Sequence, residues 1–497
     1  MTNLRDSLYE SFPDPNKKIE ELGESIKGKA TEHWIDVTKY SSLQAALNDA
    51  PVRGVGRVFV PRSVYTVTST ITIPAGVDVD FFGSTLSVPK GVTFNVLEIN
   101  NGSNQKVSNV KIVESAHNFT GVGNGVVIKG NSESVTLENV YVEGCNIGIN
   151  IAADNTYKNK RIILKECRTD WAKQFGVNVD NTLGLTLDNC FAYNNWFDGF
   201  KLRKSAKNVV IKGGESSNNG ESIVQAGNGN GIDCYAGGEN YLIHGLITEG
   251  NRGSGIYIKT GDLNDQTGEL FGYVRNAQII GVQCRNNTGN GLDINRVNAD
   301  DATGSTYPLV SHISVIGGIF EGNLQSGMYL RGRNMNVSDP ICKNNQNHGI
   351  NVANVHDVNI TNPICTGNGR ATAGSYHGIN LNKAKRINIT NPICNGADGD
   401  YITTDDYSAQ TKYQKYGVYV AVDCIDGITI KNPKITNSTN TYHIYVGMTT
   451  GSCIIDFGSW ALANAYGSVG STFVYNGAVY MKKSGAPNDY ATGWVAL

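Results

Sequence analysis

Long apolar runs are missing from this sequence, and so is heavy charge of either sign. No segment is apolar for the length a membrane-spanning helix needs. Met1 to Lys29 has no uninterrupted apolar stretch of the kind that directs secretion, so synthesis in a cytoplasm without standard export is the expectation. Charged residues make up 17% of the chain and the net charge is −2, which argues against a basic nucleic-acid footprint or an acidic tail. The ten cysteines include no CxxC pair, so a zinc or redox site has little support. A disulfide framework belongs to short secreted chains, and this chain has 497 residues.

What is abundant is glycine, 58 residues of it, with a visible excess of asparagine. Much of the glycine falls in one repeated phrase, Gly followed by an aliphatic, any residue and a second aliphatic. It begins at Gly125 and returns at Gly148, Gly176, Gly199, Gly231, Gly255, Gly291, Gly327, Gly349, Gly378 and Gly417. The shorter spacings cluster at 22 to 24 residues, and the longer ones read as the same unit with an inserted loop. Short alternating strands repeating at this period predict an all-β solenoid, a parallel β-helix. Residues at Gly+1 and Gly+3 are expected in the core and the residue at Gly+2 in solvent. Cysteines recur in the same register, as in Pro340-Ile341-Cys342, Pro363-Ile364-Cys365 and Pro392-Ile393-Cys394, and read as stacked core thiols.

The chain ends differ from the repeat. Residues 1–33 read as a leader or a stalk segment, with a short amphipathic run over Lys17–Ile26. Ser41 to Leu47 has helix-capping residues and helical apolar spacing, and a helix there would cover the open end of the first coil. From 34 to 100 the sequence reads as this cap and the first coils, from 101 to 457 as the β-helix, and from 458 to 497 as a small C-terminal β cap.

Val58-Phe59-Val60-Pro61, Tyr65-Thr66-Val67 and Ile73-Pro74-Ala75-Gly76-Val77 resemble the opening of the pectate-lyase-like right-handed parallel β-helix family, phage tail spikes and appendages in particular. Gly467–Gly477 with Tyr480–Lys483 and Gly493-Trp494 resembles the knob that closes many phage tail proteins. The resemblance implies a virion tail protein, made in the host cytoplasm and acting at the bacterial surface. It also implies a homotrimer with other tail proteins and a surface glycan (capsule, exopolysaccharide or teichoic acid) as partners. It brings no catalytic motif, and the polygalacturonase-type Gly-His-Gly does not occur.

Candidate chemistry comes from columns of equivalent residues. The Gly+2 column reads Lys201, Asp233, Tyr257, Asp293 and Tyr329 in its middle, and the Gly+4 column reads Arg203, Tyr235, Lys259, Asn295 and Arg331. Asp233 and Asp293 lie two coils apart, roughly 9.6 Å by inter-strand spacing, close to the separation of an inverting glycosidase pair. They are the expected catalytic acid and base. Lys201, Arg203, Lys259 and Arg331 would meet acidic groups or phosphate. Tyr235, Tyr257, Tyr329 and Asn295 would line the groove for sugar rings. Asp262, Asp265, Asp300 and Asp301, in the inserted loops, form a candidate divalent-cation cluster, although no cofactor is required. The leading expectation is a polysaccharide hydrolase. A non-enzymatic receptor-binding spike and a lyase acting by β-elimination are the rivals.

Overall fold

A computed structural model of the chain describes residues 34–114, 121–152, 158–203, 206–221, 229–235, 237–260, 274–295, 310–396, 414–436, 444–448 and 452–456, together with the backbone of three strands near the C-terminus. The strands pair in parallel, coil on coil, from Ile35 to Asp456. Each full coil contributes one strand to each of three faces. The first face carries the Gly phrase, as in Ile232–Tyr235. The second continues as in Gly238–His244 and the third as in Ile247–Glu249. Parallel pairing with a crossover per coil winds the chain right-handed.

The register of the first face is the one the phrase implies: Lys201 pairs with Asp233, Asp233 with Tyr257, Tyr257 with Asp293, and Asp293 with Tyr329. Aliphatic residues at Gly+1 and Gly+3 are buried throughout, among them Ile232, Ile256, Ile258, Leu292 and Ile294. Each such side chain contributes roughly 1.5–3 kcal/mol by leaving water. All ten cysteines are free and buried, with Cys342, Cys365 and Cys394 stacked in register. Burial pushes the Cys145 thiol up to about 12, which leaves it inert.

The glycine of the phrase is there for space. A Cβ on Gly291 would sit 2.6 Å from the Gly327 carbonyl oxygen and 2.9 Å from the Asn323 amide nitrogen. Those amides form a buried ladder in which each Nδ2 donates to the Oδ1 of the next coil: Asn195, Asn219, Asn251, Asn287, Asn323, Asn345 and Asn368, at 2.8–3.0 Å. Asparagine also fills many turns where φ is positive, such as Asn194 and Asn218.

The N-terminal helix is real and longer than its apolar spacing implied. It spans Leu43–Val52, and Ser42 Oγ accepts from the Ala45 N–H at 3.1 Å. It buries Leu43, Ala46, Leu47 and Ala50. Gln44 covers the sheet end directly, donating to the Thr72 carbonyl at 3.0 Å and accepting from the Thr72 N–H at 2.8 Å. A side-chain amide thus stands in for the missing strand, which is how an open edge is blunted. At the other end, Thr472–Tyr475, Ala478–Lys482 and Trp494–Ala496 pair antiparallel, a break from the solenoid pattern. The leader (1–33) lies outside the described residues, as do Asp262, Asp265, Asp300 and Asp301.

Candidate functional site

The middle of the first face is a packed charge network rather than an open row. The expectation that Gly+2 side chains face solvent fails here: Asp233 is wholly buried, and Lys201 and Asp293 are 7% and 8% exposed. Lys201 Nζ contacts Asp233 Oδ2 in the neighbouring rung and reaches Asp198 Oδ2 at 3.1 Å. Lys259 Nζ approaches Asp233 from the other side at 3.4 Å. Two ammonium groups from adjacent coils therefore close over one carboxylate, which is why an outward position is dry. Burial pushes the Asp233 carboxyl up, and the lysines only partly offset it. The Lys201 ammonium is depressed by burial, but Asp198 and Asp233 outweigh this and hold it above its usual value.

Asp293 sits differently. Its Oδ2 accepts from Asn290 Nδ2 at 2.9 Å and from Ser254 Oγ at 3.5 Å rather than from lysines, while its Oδ1, like that of Asp233, has no partner among the described residues. Burial pushes its pKa to about 6, against the opposing pull of Asn290, Arg331 and Ser254. Tyr257 and Tyr329, the flanking rungs, are half-buried, and burial raises both phenols, keeping them protonated. Arg331 lies with its guanidinium carbon 5.0 Å from the Tyr329 ring centre and donates to Asn295 Oδ1 at 3.3 Å. Its Nε is buried without an acceptor among the described residues.

The sequence-predicted residues thus separate into two groups. Asp293, Tyr257, Tyr329, Asn295, Arg331 and Lys259 converge on one stretch of the face. Lys201 and Arg203 are engaged internally, Lys201 as above and Arg203 through its Nε to Asp180 Oδ1 at 2.5 Å, and Lys201 is buried while Arg203 stays partly exposed. Tyr235 lies under both lysines, with Nζ of Lys201 and Lys259 at 5.4 and 5.1 Å from its ring centre. Asp233 is closed off from water. Its two-rung separation from Asp293 is as the register implied.

One column was missed, the residue before each phrase glycine. It contains Asp198, Asn230, Ser254, Asn290 and Ser326, and the side chains of the first four accept from the backbone of the following coil. Asp198 Oδ1 takes the Asn230 N–H at 2.8 Å, Asn230 Oδ1 the Ser254 N–H at 2.8 Å, and Asn290 Oδ1 the Ser326 N–H at 2.9 Å. Burial raises the Asp198 carboxyl, but Lys201 and these donors outweigh it and leave it below its usual value. The signal was present: these residues are polar at a fixed offset from the same glycine. Further along, the column becomes His348, His377 and Tyr416; His377 and Tyr416 stack with Tyr419, Tyr416 stacks with Tyr445, and His348 lies tilted against His377. Among the described residues no group of three or more His, Cys, Asp or Glu is placed to hold a metal ion, and no helix is long and apolar enough to cross a membrane.

A family model described as a right-handed β-helix region matches residues 95–271. No curated protein matches by sequence. Among solved structures, tailspike protein 3 of bacteriophage CBA120 aligns over 92% of this chain and 68% of its own, at 11% identity and a TM-score of 0.50. The A-module of the mannuronan C-5 epimerase AlgE6 of Azotobacter vinelandii aligns over 88% and 97%, at 16% identity and 0.41. The Dettilon tailspike protein aligns over 88% and 71%, at 13% and 0.44. Coil pairing, family match and the tailspike alignment agree on architecture: the chain is a right-handed parallel β-helix.

Proposed function

We propose that this protein binds an acidic bacterial surface polysaccharide along its first face and cleaves it there by proton transfer at Asp293. The observation that carries the reading is the Asp293 carboxyl, nearly buried, with its pKa pushed to about 6 and one oxygen unpartnered among the described residues. A group so tuned is half-ionised near pH 6 and mostly ionised at neutrality, as a general base requires. Arg331 and Asn295 supply donors suited to a sugar carboxylate. Elimination is favoured over hydrolysis because Asp233, the second carboxyl of the expected pair, is closed over by Lys201 and Lys259.

In this reading Arg331 neutralises the uronate, which makes the proton at C5 acidic. Ionised Asp293 removes that proton, and its bonding electrons form the C4–C5 double bond. The C4–oxygen bond breaks, its electron pair leaves with the oxygen, and Tyr257 donates the proton that completes the new hydroxyl. The step uses only this chain's residues. The tail-spike resemblance of both chain ends supports a place on a virion tail, with other tail proteins as partners and a homotrimer as the assembly.

The test is mass spectrometry and ultraviolet absorbance of fragments released from candidate host glycans. Absorbing fragments without added water are expected. Fragments heavier by one water would assign hydrolysis instead. Retention of a glycan with no fragments would leave a receptor-binding spike.

A further inference from the structure

One turn of the coil, between the third and first faces, requires a left-handed backbone in nine successive coils. The same N–H bonds the next coil each time, and the occupants are Gly144, Trp171, Asn194, Asn218, Gly250, Asn286, Gly322, Asn344 and Gly367, with φ between 53° and 85°. Eight are glycine or asparagine, which tolerate this region. The ninth is Trp171, at φ 56° and 36% exposed. A bulky side chain in this conformation is strained, and strain persists where the ring has another use.

Its surroundings indicate that use. The turn of the following coil carries Trp196 and Phe197, both half-buried and held in register by Trp196 N–H to the Ala172 carbonyl and Phe197 N–H to the Gln174 carbonyl, each 2.9 Å. Phe175 packs against Phe197 at 5.9 Å between ring centres and lies under Lys201 and Arg203, at 5.5 and 5.8 Å. The rings are therefore continuous with the charged network of the first face. Lys173, Gln174 and Asn194, all partly exposed, are interleaved with them. Rings alternating with hydrogen-bonding groups match a pyranose, which offers an apolar face and a rim of hydroxyls.

We infer that Trp171, with Trp196 and Phe197, forms a sugar-binding subsite for the glycan that reaches Asp293. The inference rests on the proposed glycan reading. Four inter-strand steps separate the coil of Trp171 from that of Asp293, about 19 Å along the axis, so the subsite engages a polymer several sugars from the point of cleavage.

Trp171→Asn replaces the ring with a residue suited to the backbone. In an Asp293→Asn background, which removes cleavage, it is compared by electrophoresis through gels containing polygalacturonate, alginate or purified capsular polysaccharide. The expected result is at least a tenfold loss of apparent affinity for the retarding polymer with an unchanged or higher melting temperature, while Trp171→Phe keeps most of the binding. Unchanged affinity in Trp171→Asn, or a loss that appears only with a lowered melting temperature, overturns the subsite and leaves the Asp293 reading standing. No retardation of the parent in any gel, with no fragments from wild-type protein, overturns both.

Discussion

The same face of the solenoid carries buried charge in its middle coils and stacked neutral rings toward its C-terminal end. Backbone positions are equivalent in the two regions, since one unbroken register runs from Lys201 through Asp293 to Tyr419 and Tyr445. In the middle, Asp198, Lys201 and Asp233 are held out of water. Farther on, His377 lies 4.5 Å from Tyr419, and Tyr419 lies 5.0 Å from Tyr445, with nearly parallel planes. A stack of neutral rings satisfies the fold at little electrostatic expense, and His348 accepts the His377 N–H at 3.0 Å besides. Buried charge does the opposite, because desolvation rivals the attraction between partners. The contrast therefore marks the middle coils as the place where the sequence departs from what stability alone favours.

The largest expected effect separates the two aspartates within the middle region. Asp233→Asn leaves Lys259 facing a neutral group and Lys201 with Asp198 alone, and breaking a buried pair in this way costs about 3–5 kcal/mol. Denaturant unfolding of the variant should show that loss, and a loss below about 1 kcal/mol would mean the network is more solvated than its geometry implies.

The next effect sets the two regions against each other by pH. The folded pKa of Asp293 is raised from 3.8 to about 6, so its contribution to stability is greatest below pH 4 and is lost as pH rises through 6. The folded pKa of His348 is lowered by burial from 6.5 to about 4, and that of His377 to about 2. Their contribution is complete above pH 6.5 and is lost as pH falls toward those values. Each of Asp293 and His348 involves on the order of 3 kcal/mol at about 1.4 kcal/mol per pK unit. Melting temperatures from pH 4 to 7.5 should show opposite changes in slope for Asp293→Asn and His348→Gln. Parallel curves for both variants and wild type would dissolve the contrast. Asp293→Asn should also be more stable than wild type at pH 7, by about 2–3 kcal/mol on the same scale, the signature of a residue kept for function.

The smallest effect is a control on the second face. Asp357 pairs with Arg386 at 2.7 Å, and the guanidinium holds its carboxyl well below the usual range. Both side chains are exposed by a third or more, so Asp357→Asn should cost only about 0–1 kcal/mol. A larger loss would show that surface ladders, and not only the buried network, brace the coils.

The register of the first face was legible because the phrase fixes it: aliphatic residues at Gly+1 and Gly+3 leave Gly+2 residues no choice but to stack on one another. The direction of burial was not legible. Whether Asp233 meets water depends on Lys201 and Lys259 folding over it from neighbouring rungs, and side-chain paths of that kind are not written in a column of letters. Asp198, Asn230 and Asn290 precede the glycine, where polar residues vary in type and only their bonds to the next coil reveal a column. At Gly291 the glycine's job is to leave room for Asn323 and a neighbouring carbonyl, contacts that only the coil stacking reveals. Only the coil-to-coil bonds show that Trp171 occupies an asparagine's slot.

The most direct test is glycan cleavage by Asp293→Asn beside the wild type, on a surface polysaccharide that both retain. The account predicts unchanged retention with fragment release reduced a hundredfold or more, the usual scale for removing a proton-transfer group. Fragment release at the wild-type rate would contradict it and move the chemistry away from this carboxyl.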